Sequence, residues 1–88
     1  MEEINHLKLE TEIKEIISTM TELKFDEIKL DEHLYKDLGI DSIKGIELAV
    51  ALQERYKVQI DDDRIKDLIS VRAISKEIVR LLERKLKG

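Results

Sequence analysis

The sequence predicts an all-α fold: a small four-helix bundle of three main helices plus a short third one, with a long loop between the first and second helices. Three observations carry this prediction. Apolar residues recur at helical spacing in three separate segments, polar residues suited to capping stand before the later segments, and β-branched residues almost nowhere alternate with polar ones as a strand requires. The chain has 88 residues, enough for one domain spanning 1–88 and not for two. A fold of this size buries roughly 60–65% of its extended-chain surface, so the core is thin and has no room for a deep catalytic cavity.

From about Ile4 to Met20, the residues Ile13, Ile16, Ile17 and Met20 fall on one helical face with Glu and Lys between them. This is the first helix. The stretch "TELKFDEIKLDEHLYKDLG" follows, with scattered apolar residues and no sustained period, and reads as a long connection with a short turn near His33–Lys36. A connection of that length inside a small domain is uncommon and often functional. Gly39 ends it, and Asp41 is a good N-cap for a second helix over about Ser42 to Tyr56, because its carboxylate can accept first-turn amides. "KVQIDDDRIKDLIS" gives a short extended link and then a brief third helix around Arg64–Leu68, capped by Asp61 or Asp62. Ser70 can cap the last helix, in which Val71, Ile74, Ile78, Leu81 and Leu82 keep the helical pattern. Phe25, Tyr35 and Tyr56 read as packing residues.

Composition narrows the function classes. Apolar residues make up 42% of the chain and charged residues 41%, a balance that suits a surface-rich globular fold better than disorder. The net charge of −4 is unevenly spread: residues 1–40 carry 11 acidic and 5 basic side chains, whereas 71–88 carry 2 acidic and 6 basic. The basic end suits a helix C-terminus. An acidic total with 3% aromatics argues against nucleic-acid binding, which needs a basic face or stacking platforms. No apolar run reaches the roughly 18–20 residues of a membrane span, and the acidic start lacks the basic region of a signal peptide, so the expectation is a soluble, cytoplasmic protein, most simply a monomer. There is no cysteine, and His6 and His33 stand far apart, so no metal centre is expected. The acidic clusters Asp31-Glu32 and Asp61-Asp62-Asp63 raise one further expectation, that divalent cations stabilise the fold.

The informative stretch is "LGIDSIKG", residues 38–45. Asp-Ser is an ordinary helix start, and on the dipeptide alone Ser42 is a solvated first-turn residue. A serine hydrolase using Ser42 and His33 would need a nucleophile elbow, an orienting group and an oxyanion hole; the glycine-x-serine-x-glycine pattern is absent and no catalytic residue is assigned. Leu38-Gly39-Ile40-Asp41-Ser42-Ile43-Lys44-Gly45-Ile46-Glu47-Leu48, however, resembles the modification site of acyl carrier proteins. "ALQERYKVQI" is similar to the end of that family's second helix and "DDDRIKDLISVRAI" to its third helix and the opening of its last. The resemblance runs without a gap from about Leu38 to Leu82.

The resemblance implies that Ser42 receives 4′-phosphopantetheine from coenzyme A and that the chain carries acyl groups as thioesters on that arm. It would then be no enzyme but the substrate of a phosphopantetheinyl transferase and of acyl-loading and acyl-processing enzymes of the ligase, acyltransferase or ketosynthase type. Asp41 would cap the helix and help recognition by the transferase. A phosphate at a helix N-terminus sits among free amides and the positive dipole end. The stripe Ile43, Ile46 and Val50 can be plain core; by resemblance it lies with Glu47 at the edge that meets partners or the mouth of a pocket, while Leu52, Ile60, Ile65 and Leu68 surround an acyl cavity between the second and third helices.

Three departures from the family's pattern shape the pathway. Lys44, Gln53, Arg55 and Lys57 stand at positions that are often acidic, so the second helix is nearly neutral; Ile43 replaces the commonest leucine; and Asp61 stands where proline is usual. Charge complementarity governs steering and partner choice, so the expectation is a specialised stand-alone carrier of fatty acid, polyketide or lipid-modifying biosynthesis. The alternatives are an aminoacyl or peptidyl carrier, or an unmodified helical interaction module that binds through the Ile43–Val50 stripe.

Overall fold

The computed structural model describes residues 4–87. Asn5 starts α1 (His6–Met20): its side-chain oxygen accepts the Lys8 amide at 3.0 Å. Leu9, Ile13 and Ile17, four residues apart, form its buried line, with Ile16 and Met20 at the margin. The helix stops at Thr21, where the backbone turns extended and the hydroxyl bonds back to the Ile17 carbonyl at 2.8 Å. The last helix, α4 (Val71–Lys87), begins where expected, since the Ser70 hydroxyl accepts the Ala73 amide at 3.1 Å. Its buried line is Val71, Ile74 and Ile78, and its last turn holds Arg84, Lys85 and Lys87 against the negative dipole end. Helix α1 packs against both α4 and the second helix.

That second helix, α2 (Ser42–Tyr56), has the predicted bounds. Lys57 ends it in the left-handed conformation at φ 56°, and the Lys85 ammonium donates to the Lys57 carbonyl at 2.9 Å. α2 buries Leu48, Ala49 and Leu52, and the short helix after it packs on it. Reading the Ile43, Ile46 and Val50 stripe as core fails here: these side chains are 70%, 55% and 46% exposed. The buried line of α2 runs instead through the smaller Gly45 and Ala49.

Helix α3 (Asp62–Ile65) corrects the expected span of Arg64–Leu68 by starting two residues earlier and ending at Ile65. Acidic side chains favour the positive end of a helix, so Asp62 and Asp63 occupy the first turn. Bonds from the Asp67 amide to the Arg64 carbonyl and from Leu68 to Ile65 then tighten the chain into 3-10-type turns. A hook holds α3 to α4. Glu77, 8% exposed, accepts two bonds from Arg64 on α3 (3.0 and 3.2 Å) and two from Arg80 on its own helix (3.0 and 2.6 Å).

The connection between α1 and α2 is built into the core. Ile28, Leu34 and Ile40 are buried although they keep no helical period. The Leu34 amide donates to the Ile69 carbonyl at 2.7 Å and the Arg72 amide to the Leu30 carbonyl at 3.0 Å, so the loop is stitched to the start of α4. A 3-10 turn at Phe25–Glu27 was not predicted; the Glu27 carboxylate stabilises it by accepting the Lys24 amide. Phe25 is more exposed than a packing residue, with the Lys14 ammonium 5.5 Å from its ring centre. Tyr56 is half-buried and donates its hydroxyl to Glu12 at 2.8 Å; burial and that carboxylate push its pKa upward.

Candidate functional site

The N-terminus of α2 is set from both sides. Gly39 adopts φ 72°, a conformation open to glycine and strained for other residues. Ile40 is anchored in the core and its amide donates to the Leu34 carbonyl at 2.9 Å. Asp41 follows in extended conformation, and its carboxylate accepts the Lys44 amide at 2.8 Å. Ser42 is therefore the first residue of a capped helix and is exposed.

The other three serines differ from it. Ser75 is buried, Ser70 uses its hydroxyl as a cap, and Ser18 lies half-buried inside α1. Only Ser42 combines exposure with a helix N-terminus, where first-turn amides lack intrahelical acceptors and the dipole favours negative charge. That setting fits a phosphate-linked group on the Ser42 hydroxyl.

Ser42 also lines a groove of 570 Å³ with Tyr35, Ile46, Asp62, Ile65 and Lys66, running between α2 and α3. Of the residues expected around a cavity there, Ile65 and Ile46 border it. Leu52, Ile60 and Leu68 do not: they are buried in the packed core beneath, which fills their space. Ile43, Glu47 and Val50 lie outside the groove on the exposed surface of α2. A larger concavity of 730 Å³ lies between α1 and the start of α2 and includes Met20, Leu23, Asp41 and Lys44, but Ser42 is absent from its walls. Of the two concavities, Ser42 borders the α2–α3 groove.

Helix α2 carries both signs of charge, and two of its cations have acidic partners. The Lys44 ammonium lies 3.1 Å from the Glu47 carboxylate, and the Arg55 guanidinium reaches Glu12 on α1 at 3.7 Å. Beside these exposed charges stands the exposed apolar stripe of Ile43, Ile46 and Val50.

His33 serves the loop. Its Nδ1 accepts the amides of Tyr35 at 3.2 Å and Lys36 at 3.1 Å, capping the turn that the sequence placed there. Among the described residues, no three His, Cys, Asp or Glu side chains converge as a metal site. The carboxylates of Asp31 and Glu32 have partners within the chain. Arg72 binds Asp31 through two bonds at 2.6 and 3.2 Å and holds its carboxyl below the usual carboxylate range, and Glu32 accepts the Lys29 amide.

A phosphopantetheine attachment-site family model matches residues 11–86. The acyl carrier protein of Campylobacter fetus is 33% identical over 60 residues, covering 68% of this chain and 78% of that protein. The acyl carrier protein of Campylobacter hominis is 31% identical over 72 residues, covering 82% and 86%. A third, from a Sulfurovum species, is 33% identical over 60 residues.

The chain belongs to the acyl carrier protein family.

Members of this family are carriers, and their prosthetic group is covalent 4′-phosphopantetheine. The match extends beyond the stretch that first suggested it, since it takes in most of α1 as well. Tyr35, Asp62 and Lys66 of the groove were missed in the sequence. Tyr35 falls in an aperiodic loop, and the two charged residues resemble any solvated turn. As in the bundle generally, no helix among the described residues is long and apolar enough to cross a membrane.

Proposed function

We propose that this protein carries acyl intermediates as thioesters on a 4′-phosphopantetheine arm attached to Ser42. The observation that carries the reading is the setting of Ser42: exposed, first in a capped fifteen-residue helix, and open to the α2–α3 groove. Coenzyme A supplies the arm. The Ser42 oxygen forms the new phosphodiester bond, the pyrophosphate link of coenzyme A breaks, adenosine 3′,5′-bisphosphate leaves, and the transferase takes the serine proton. Asp41 holds the serine in place through the cap and offers its carboxylate to the transferase. The protein itself supplies position, not catalysis.

The Lys44–Glu47 pair within α2 and the Arg55–Glu12 pair across to α1 support a specialised stand-alone carrier of polyketide or lipid-modifying biosynthesis over the main fatty-acid carrier. A self-neutralised helix offers little to a basic docking patch, and its partners meet the Ile43, Ile46 and Val50 stripe instead. The whole chain acts as one cytoplasmic, monomeric domain. Incubation with coenzyme A, magnesium and a broad-specificity phosphopantetheinyl transferase tests the reading. One modification and one free thiol are expected on a chain without cysteine, and neither on Ser42→Ala. Modification at another serine, or failure with several transferases, overturns it.

A further inference from the structure

Gly45 stands three residues after Ser42 inside α2, where glycine is a poorer helix former than alanine. It is buried, and its backbone is ordinary helix, so no unusual dihedral explains it. Space does. A Cβ built on Gly45 would lie 3.0 Å from Cε1 and 3.0 Å from Cζ of Tyr35, and closer still to the phenol oxygen. The end of the tyrosine side chain occupies the place that any other residue of α2 would fill.

Tyr35 is held there by its neighbours in the loop. Its amide is bound to Nδ1 of His33 at 3.2 Å, the His33 ring meets its own ring edge-on at 5.8 Å, and Leu34 beside it is fully buried. The ring is half-buried and forms one wall of the groove that Ser42 lines, facing Ile46 and Ile65. Side-chain positions three residues apart on a helix are about 5–6 Å apart. The Tyr35 hydroxyl thus stands within reach of the phosphate and first amide of anything linked to the Ser42 oxygen. It can both donate and accept, and it makes no hydrogen bond within the described part of the chain.

We propose that Tyr35 is a positioning residue for the prosthetic arm: its ring packs along the first carbons of the arm, and its hydroxyl donates to the arm's phosphate or first amide carbonyl, with Gly45 leaving the space for it. This rests on attachment of the arm to Ser42. Tyr35 then sets which way the arm leaves the helix, along the α2–α3 groove past Ile46 and Ile65 and not into solvent or toward the concavity on the α1 side.

The test uses the full-length holo protein, loaded from isotopically labelled coenzyme A, with nuclear magnetic resonance cross-peaks between the arm's paired methyl groups and the protein. Intact mass first establishes loading, so failure of attachment at Ser42 is seen separately from failure of this proposal. In the parent protein, the arm methyls give cross-peaks to the Tyr35 ring and to Ile65. Tyr35→Phe keeps the ring contact but loses the hydrogen bond, lowering cross-peak intensity to Ile65 by up to about fivefold, the factor expected of one ordinary hydrogen bond. Tyr35→Ala abolishes the pattern.

Gly45→Ala pushes the ring aside while raising helix propensity, so it keeps the fold and still loses the arm-to-Ile65 cross-peaks. Its circular dichroism and melting temperature serve as the folding check should Tyr35→Ala fail to fold. Cross-peaks that persist unchanged in both Tyr35→Phe and Gly45→Ala, or an arm whose contacts lie on the Met20 and Leu23 side, would overturn the proposal.

Discussion

Asp41 is given two roles, and a pair of substitutions separates them. As a cap, its carboxylate accepts one amide, that of Lys44, at 2.8 Å. Asp41 is exposed, so alanine there leaves that amide to water and not to an apolar interior. The cost then falls near the middle of the range for cap removal, about 1 kcal/mol. Asparagine caps as well as aspartate and forfeits only the charge at the positive end of the helix, about 0.3 kcal/mol. For a domain of this size, 1 kcal/mol moves the midpoint by about 4–8 °C. Thermal unfolding followed by far-ultraviolet circular dichroism should therefore place Asp41→Ala several degrees below the parent and Asp41→Asn within about 2 °C of it. Modification by a phosphopantetheinyl transferase should divide the variants differently, because recognition uses the carboxylate: both are slow, although only one is less stable. If Asp41→Ala melts with the parent, the cap does not hold the site. If Asp41→Asn is modified at the parental rate, the carboxylate is not what the transferase reads.

Three further outcomes follow from the packing and charges. Leu34→Ala, in the loop before α2, removes a side chain with no exposed surface and should cost about 2–5 kcal/mol in chemical denaturation, as in a helix core; a loss below about 1 kcal/mol would show that the loop does not share the core. Arg80 first, and Arg64 after it, hold the Glu77 carboxyl below its ordinary range against the opposing effect of burial. A depressed carboxyl contributes stability that is present above its unfolded pKa, near 4.3, and is lost as the pH falls through the folded value. Glu77→Gln should accordingly lower stability at neutral pH by about 1–2 kcal/mol, a buried-pair cost discounted for the half-exposed arginines, and melting curves from pH 7 to 3 should fall less steeply than the parent's; an unchanged acid slope refutes the hook. Finally, neutralising the basic patch of a fatty-acid ketosynthase should barely change its association with this protein at any salt concentration, whereas Ile46→Glu should weaken docking to a true partner. A large salt-sensitive loss on patch neutralisation would contradict the account of α2.

The sequence carried different parts of the molecule with different clarity. Helices α1, α2 and α4 were legible because each keeps apolar residues at i and i+3 or i+4, and Asp41 and Ser70 mark where the last two begin; the Asn5 cap of α1 was not read. Short elements escape that signal. Helix α3 has four residues, less than two turns of period, and three aspartates lie together at its start, so its span was misplaced by two residues at its start and three at its end. The loop's anchors, Ile28, Leu34 and Ile40, serve tertiary contacts with α4 and α2 that no local spacing encodes.

The α2 stripe was legible as apolar but not as exposed, since Ile43, Ile46 and Val50 share a helical face as a buried line would. What decided it was the neighbouring line of Gly45, Leu48, Ala49 and Leu52, already filling the interior. The capped helix start at Ser42 was legible from "LGIDSIKG". Of the groove beside it, Ile46 and Ile65 were expected, whereas Tyr35, Asp62 and Lys66 were not, because they come from an aperiodic loop and from the short α3 segment.

The central claim is that Ser42 is the tether. The most direct test is tandem mass spectrometry of the protein purified from the cell that makes it, digested so that the peptide containing Ser42 is recovered intact. The account predicts a phosphopantetheine, free or carrying an acyl thioester, on Ser42 and on no other residue. A Ser42 peptide recovered without modification from actively growing cells, or an arm found on Ser18, Ser70 or Ser75, would contradict it.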